Sequence, residues 1–287
     1  MKKILLTLIF LLILAGCGDS IFHGIEDKNS KSATDLEVTK RLDSRDYDWI
    51  LSNPDKANAT DYSAAAMGKA GLDPVEVIKK LNNISQQTAK NDLGAVTSLA
   101  IQPDALNELQ TAKKKLKEEL GIANKPTNTD MDIEKGFASV NNSPLSKPTD
   151  SDLYFQLVMT SFTSTITAIA QVGQNNASYI SGGFDASNGI SEIEAKALAN
   201  YIAMNPTVKV DTNGDKTPDT ELVTIIVKDV VDIATYLPKA NLGTGSDINT
   251  VLTRATQGAK SIDYDGDGTV TSIDISNYLN CVVGKGC

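Results

Sequence analysis

Near the C-terminus, the stretch "DYDGDGTVTSID" carries oxygen-bearing side chains at alternate positions around a glycine. Counted from Asp263, carboxylates occupy positions 1, 3 and 5, and Gly268 at position 6 permits a sharp turn. Carboxylates this close repel one another unless a cation lies between them, and Ca²⁺ takes about six to eight oxygen ligands. The pattern predicts a calcium loop whose ligands are Asp263, Asp265, Asp267, Thr269 (through its carbonyl), Thr271 and Asp274.

This loop resembles the EF-hand calcium loop, which also has an apolar residue at position 8, here Val270. Position 12 differs, because the EF-hand has Glu there and this chain has Asp274. An Asp followed directly by a short helix is similar to the dockerin repeat of secreted bacterial proteins. A dockerin has two such repeats and binds a cohesin, which implies a calcium-dependent assembly module. The alternative is a solvated Asp-Gly turn without metal.

A second stretch, "DTNGDKTPD", repeats the spacing of oxygen-bearing side chains. It has Lys216 in place of glycine at position 6, and Leu222 at position 12. The stretch resembles the Asp-rich calcium loops of extracellular repeats such as the type 3 repeats of thrombospondins. It is either a second calcium site or a plain turn between helices, and its candidate ligands are Asp211, Asn213, Asp215, Thr217 and Asp219.

The N-terminal stretch "MKKILLTLIFLLILAGC" has the organisation of an export signal, with Lys2 and Lys3 before an apolar run. The run is shorter than the roughly 20 residues that span a bilayer. Its end, Leu14 to Cys17, resembles the lipobox of bacterial lipoproteins. That resemblance implies removal of residues 1–16, acylation of Cys17 and a lipid-anchored place in a bacterial cell envelope, on the periplasmic or surface face. Gly18 favours the outer membrane, and the alternative is an uncleaved anchor.

Two further cysteines, Cys281 and Cys287, stand close together in "CVVGKGC". Outside the cytoplasm a close pair is expected to form a disulfide. A thiolate metal site would need further soft ligands, and the chain has three cysteines in all. We therefore expect a structural disulfide between Cys281 and Cys287.

Composition narrows the function classes. The formal net charge of −9 excludes nucleic-acid binding by phosphate neutralisation and favours divalent cations and basic partners. The single histidine, His23, lies in a polar stretch, and no G-x-S-x-G, H-E-x-x-H or phosphate-binding loop occurs. We therefore expect a protein that is not an enzyme. A periplasmic hydrolase with a Ser/Lys or two-carboxylate mechanism remains a remote alternative.

Apolar residues at three- and four-residue spacing predict an all-α fold, either a helix-loop-helix bundle or a short solenoid. A first helical pattern runs from Leu36 to Asn53-Pro54, and Thr60 or Asp61 is predicted to cap the helix that follows. Ser191 and Glu194 form a predicted capping box on a helix that should end at Asn205-Pro206. The β-branched start of "TELVTIIV" predicts helix or strand, and one helix face is predicted to lie in the core: Leu153, Leu157, Phe162 and Ile166. The predicted regions are a leader at 1–16, a flexible tether at 17–35, a helical region at 36–122, a linker or long loop at 123–150, and a helical domain with the calcium loops at 151–287.

One helix pair in the 36–122 region resembles a tetratricopeptide-type hairpin. The resemblance rests on Asn53-Pro54, Tyr62, Ala65-Ala66, Gly68 and Ala70-Gly71. Small residues in the second helix let two helices approach closely, and the resemblance implies a protein partner. Together the patterns predict a non-catalytic calcium-binding lipoprotein that acts as an envelope scaffold or interaction protein. The alternative is the dockerin-like module with a cohesin-like partner.

Overall fold

Helices dominate the protein, which confirms the predicted all-α class. In the computed structural model, 72% of the described residues are helical and 3% are in strands. The described residues are 31–72, 101–122, 150–180, 184–240, 266 and 271–280. Their α-helices are α1 (Lys31–Asp43), α2 (Tyr47–Ser52), α3 (Ala59–Lys69), α4 (Leu106–Glu119), α5 (Ser151–Asn175), α6 (Glu192–Met204), α7 (Leu222–Tyr236) and α8 (Ser272–Asn280).

The first predicted helical pattern, from Leu36 to Pro54, forms two helices. Helix α1 begins at Lys31, inside the stretch that we assigned to the tether. It ends where Arg45 takes a left-handed conformation, with φ of +59°. The Asp46 N–H then donates to the Arg41 carbonyl at 2.9 Å, and the Arg41 guanidinium donates to the Asp46 carboxylate at 2.6 Å. This backbone turn and its ion pair separate α1 from α2.

The start of α3 corrects one sequence prediction. We expected Thr60 or Asp61 to cap this helix, but the cap is Asn58, whose Oδ1 accepts from the Asp61 N–H at 2.8 Å. The expected close approach is present, because a Cβ on Gly68 would lie 2.3 Å from the ring of Tyr47 in α2. Asn53 at the end of α2 also matches the predicted helix stop.

Helix α5 is the central element, and α3, α4 and α7 all pack against it. It is the one helix among the described residues that is long and apolar enough to cross a membrane, and 67% of its most apolar window is buried by the rest of the protein. A core helix passes the same test. Leu157 is fully buried, as predicted for a core position, while Leu153, Phe162 and Ile166 are partly buried against core residues.

The third part of the chain begins with the predicted capping box, which is confirmed. The Ser191 N–H donates to Glu194 Oε2 at 2.7 Å, and the Glu194 N–H donates to Ser191 Oγ at 3.3 Å. Helix α6 then ends at Met204, just before Asn205, as predicted. The β-branched start of "TELVTIIV" was read as helix or strand, and the structure contains both. Thr220–Glu221 is strand β2, paired antiparallel with β1 (Lys209–Val210), and α7 follows directly.

Residues from both predicted helical regions form one hydrophobic core. Leu109 of α4 lies in the same buried cluster as Ala168 of α5, Ile226 of α7 and Ile275 of α8. The predicted linker falls almost entirely on residues 123–149, which lie outside the described residues. The two regions therefore pack together as one body around α5.

Close packing at Gly173 of α5 yields a first prediction. A Cβ at this position would lie 2.4 Å from the ring of Phe184, which is itself buried. Although replacing a helical glycine gains roughly 0.5–1 kcal/mol, overpacking a core costs about 1–3 kcal/mol. Gly173→Ala should therefore lower the free energy of unfolding by about 1–2 kcal/mol in urea denaturation.

The double variant Gly173→Ala with Phe184→Leu tests the cause of that loss. Because the smaller side chain makes room for the new methyl group, the double variant should lose less stability than the two single variants added together. A stabilised Gly173→Ala protein would show that the Phe184 ring moves aside freely.

Candidate metal-binding loop and a buried ion ladder

Residues 211–219, here called the 211–219 loop, lie between two short strands at the start of α7. The strands pair Lys209 with Glu221 and Val210 with Thr220. At the mouth of the loop the Asp219 N–H donates to the Val210 carbonyl at 3.0 Å, and the Leu222 N–H donates to the Val208 carbonyl at 2.9 Å. The loop is therefore closed at its base, between the end of α6 and the start of α7.

Asp211 organises the first half of the loop through its carboxylate. Its Oδ1 accepts from the N–H groups of Asn213 (3.1 Å) and Gly214 (2.7 Å), and its Oδ2 accepts from the N–H of Lys216 (2.6 Å). Charge-assisted bonds of this kind are stronger than neutral ones. Asp211 is also buried, so its carboxylate forms the inner wall of the loop.

The other oxygen-bearing side chains turn back onto the backbone in the same way. Asn213 Oδ1 accepts from the Asp215 N–H at 2.9 Å, and Asp215 Oδ1 accepts from the Thr217 N–H at 2.7 Å. Asp219 Oδ1 accepts from the N–H and the hydroxyl of Thr212, at 3.1 and 2.9 Å. Four of the five candidate ligands thus bond a side-chain oxygen to backbone N–H groups of the loop.

Two residues of the loop have a left-handed backbone. Gly214 has φ of +81°, which costs glycine nothing. Lys216 has φ of +67° at position 6, where the EF-hand has glycine, and a residue with a Cβ pays roughly 1–2 kcal/mol there. The hydrogen bond from its N–H to Asp211 helps to hold that conformation. A lysine therefore takes a positive φ at the position where the sequence pattern would favour glycine.

The surroundings of Asp219 in the loop shift the pKa of its carboxylate. Partial burial raises its pKa, but hydrogen bonds from Thr212 and Thr220 outweigh burial, so the pKa lies below the ordinary value of 3.8. A lowered pKa means that this carboxylate favours the folded state above its ordinary pKa and loses that contribution as pH falls below it. The loop therefore holds this side chain as an anion.

The side chains of the 211–219 loop are not arranged as a complete coordination shell for a metal ion. Among the described residues, no three side chains of the types Asp, Glu, His and Cys are gathered closely enough to hold a metal ion. Within the loop, the carboxylate oxygens bond to backbone N–H groups, while Asp215 and Asp219 remain exposed. A cation would have to draw these two carboxylates together with the Asn213 and Thr217 oxygens to complete its shell.

The structure places only two of the predicted ligands of the C-terminal loop. The Thr271 N–H donates to Asp274 Oδ2 at 2.8 Å, its hydroxyl donates to the same oxygen, and the Asp274 N–H donates to Thr271 Oγ1 at 3.3 Å. The pair caps α8, which begins at position 10 of the predicted loop. The other predicted site residues lie outside the described residues: Cys17, Asp263, Asp265, Asp267, Thr269, Cys281 and Cys287.

A second polar feature, which the sequence did not predict, lies between α4 and α7. The Lys113 ammonium contacts Asp229 Oδ1 and lies 3.3 Å from Asp232 Oδ2, and the Lys117 ammonium lies 2.7 Å from Asp232 Oδ1. We call these four residues the ion ladder. Thr165 of α5 adds a hydroxyl that donates to Asp229 Oδ2 at 3.2 Å. Three helices therefore meet at a charge-neutral buried cluster.

Burial and ion pairing act against each other within the ladder. Burial raises the pKa of Asp229 by more than its pairing with Lys113 lowers it. Burial lowers the pKa of Lys113, but the two carboxylates beside it outweigh burial, so the pKa is raised above 10.5. Among the residues that the structure describes, Asp232 Oδ2 has the Lys113 ammonium 3.3 Å away as its ion-pair partner. Lys113 therefore stays charged at neutral pH, since its ammonium compensates both aspartates.

The position of the ladder residues within the apolar stripes is a sequence signal for the ladder. Lys113 stands four residues after Leu109 and three before Leu116, both fully buried. Asp229 stands three residues after Ile226 and four before Ile233 in the same way. A charged residue in the middle of each apolar stripe indicates that the two helices bury opposite charges against each other.

Breaking the ladder should destabilise the protein strongly. Lys113→Met leaves the Asp229 and Asp232 carboxylates buried without their main counter-ion, which costs about 3–5 kcal/mol in comparable pairs. Lys113→Met with Asp229→Leu should recover most of that loss, because Asp232 keeps Lys117. The free energies of unfolding of the two variants, measured in urea, test both the loss and its recovery. Lys114→Met, one residue along on the exposed face, is the control and should change stability by less than about 0.5 kcal/mol.

Tyr236 beside the ladder yields a prediction on alkaline stability. Burial and the charge of Asp232 raise its pKa from 10.0 to about 12. Between those values the folded state keeps a proton that the unfolded state loses, so stability should fall as pH rises through this range. Urea unfolding of the wild type and Tyr236→Phe near pH 9 and about pH 11 measures the effect. The variant should lose less stability on going to high pH, and equal losses would contradict the assignment.

Comparison with protein-family models, with curated proteins and with solved structures gave no match to this chain. The case for a function therefore rests on the residue pattern of the two loops, on the leader, and on the geometry described above.

Proposed function

We propose that the protein is a non-catalytic, calcium-binding helical lipoprotein of a bacterial envelope, acting as a scaffold or interaction protein. The observation that carries the proposal is the 211–219 loop. There the side chains of Asp211, Asn213 and Asp215 line one turn, and Lys216 adopts the left-handed conformation that this kind of loop requires. Calcium fits better than Mg²⁺, because Ca²⁺ accepts irregular shells of oxygen ligands.

The position of the loop supports a bracing role for the ion. The loop links α6 to α7, and α7 packs along the central helix α5. An ion held there would tie together the ends of two helices. Extracellular calcium modules bind at roughly 10⁻⁴ to 10⁻³ M, so calcium would be a standing structural component and not a transient signal. The lipid anchor, the disulfide and the C-terminal calcium loop enter the proposal from the sequence pattern.

Thermal unfolding of the full chain in mild detergent tests the proposal directly. Calcium at about 10 mM should stabilise each site by roughly 1.4–2.7 kcal/mol over EDTA, given affinities of this class. For a protein of this size that corresponds to a rise in Tm of roughly 3–10 °C. Mg²⁺ at the same concentration should give a smaller rise, because it demands a regular octahedral shell.

Matched variants separate the two loops. Asp215→Asn keeps the oxygen that accepts from the Thr217 N–H but removes a charge, so it should weaken calcium binding while the loop still folds. Asp185→Asn is the control, because Asp185 is an exposed aspartate that bonds the Ser187 N–H in the same local pattern but lies outside both loops. Asp265→Ala with Asp267→Ala removes the C-terminal loop. No calcium-dependent rise in Tm in the wild type would overturn the proposal.

A further inference from the structure

Gln171 of α5 connects the 211–219 loop to the protein core. Its side chain is buried and lies one turn from the C-terminal end of α5. Its Oε1 accepts from the Asp211 N–H at 2.6 Å, and its Nε2 lies 3.4 Å from the Asp211 carbonyl. One amide thus holds both backbone groups of the residue that begins the loop.

The same Nε2 also donates to the carbonyl of Pro103 at 3.1 Å. Pro103 opens the short 3₁₀ turn that leads directly into α4. Gln171 therefore joins the start of the loop, the central helix and the entry to α4 through a single side chain. The two contacts with Asp211 are buried, so losing the amide leaves the N–H and the carbonyl of Asp211 without this partner where water does not readily replace it.

Asp211, held by Gln171, in turn restrains the rest of the loop through hydrogen bonds to its carboxylate. Its carboxylate accepts from the N–H groups of Asn213, Gly214 and Lys216. On the other side, Asn107 of α4 covers Gly214 so closely that a Cβ there would lie 2.5 Å from the Asn107 amide nitrogen. The loop is held between two side chains that both belong to the core helices.

From this geometry we infer that Gln171 is the positioning residue of the 211–219 loop. It fixes Asp211, so that the order of the loop depends on its attachment to α5 and to the entry of α4. The inference concerns the coupling of loop and core, and only its extension to calcium rests on the proposed function. In that extension, an ion that orders the loop stabilises α4 and α5 through Gln171, and loss of Gln171 weakens the binding of the ion.

Amide hydrogen exchange of the full chain in detergent tests the coupling without any metal. In Gln171→Met, the amides of Asn213, Gly214 and Lys216 should exchange at least about tenfold faster, while the amides in the middle of α5 stay protected. The matched control is Gln156→Met, which replaces the other buried glutamine of α5, about 22 Å away along the helix. The control should leave the three loop amides unchanged.

Two results would overturn the inference. If only the Asp211 amide changes, Gln171 makes a local bond and does not position the loop. If the loop and α5 lose protection equally, Gln171 is a general packing residue of the core. A loss confined to the loop in Gln171→Met and absent in Gln156→Met is the expected result.

Calcium titration then tests the extension, in the background Asp265→Ala with Asp267→Ala so that the 211–219 loop is observed alone. Gln171→Met should weaken binding by about tenfold or more, as loss of an outer-shell partner does at other metal sites, whereas Gln156→Met should not. If the chain without these two substitutions binds no calcium, the proposed function fails and the exchange result still decides the coupling. If it binds and Gln171→Met binds equally well, the extension fails alone.

Discussion

The packing of the helices depends on the ion ladder between α4 and α7. Both helices lie against α5, and the ladder joins them where Lys113 reaches Asp229 and Asp232. Lys113, Asp229 and Asp232 are buried and Lys117 is partly exposed. Their four charges sum to zero, and α5 contributes the Thr165 hydroxyl. Since an unpaired buried charge is costly, a shifted register of α4 on α7 would separate charges that nothing else compensates. The ladder thus favours one packing arrangement of the three helices over arrangements in which α4 and α7 are shifted in register.

The central helix extends this polar character along its length. Buried hydroxyls occur through the middle of α5, and Thr160 contacts Ser63 of α3 at 2.6 Å. At the far end Gln171 contacts the 211–219 loop. The core is therefore not uniformly apolar. It holds a series of specific polar contacts, and each of them fixes α5 against a different element: α3, then α4 and α7, then the loop.

Much of this fold was readable from the sequence, and the exceptions have physical reasons. The capping box of Ser191 and Glu194 was readable because both bonds lie within four residues. The cap of α3 was not, because Asn58, Thr60 and Asp61 are all good caps and the preceding turn decides among them. The ion pair of Lys113 was not readable either, since its partners lie more than a hundred residues along the chain.

The candidate site was predictable in part for the same reason. The spacing of Asp211, Asn213 and Asp215 is local and identified the loop, and the left-handed turn at Lys216 occurs without the glycine that usually marks it. The contact with Gln171 spans forty residues of sequence and has no local pattern. Sequence therefore identified the candidate residues of the loop, and only the fold showed what holds them.

The neutrality of the ion ladder has a consequence for the protein in salt solution. Because its four charges cancel inside the core, the whole formal net charge of −9 remains with groups outside the ladder. Mobile ions screen surface charges over a Debye length of about 8 Å at physiological ionic strength but do not enter a packed core. Raising ionic strength would therefore relieve repulsion among the surface acids while leaving the ladder intact. The ion pairs of the ladder are therefore less sensitive to salt than the repulsion among the surface carboxylates.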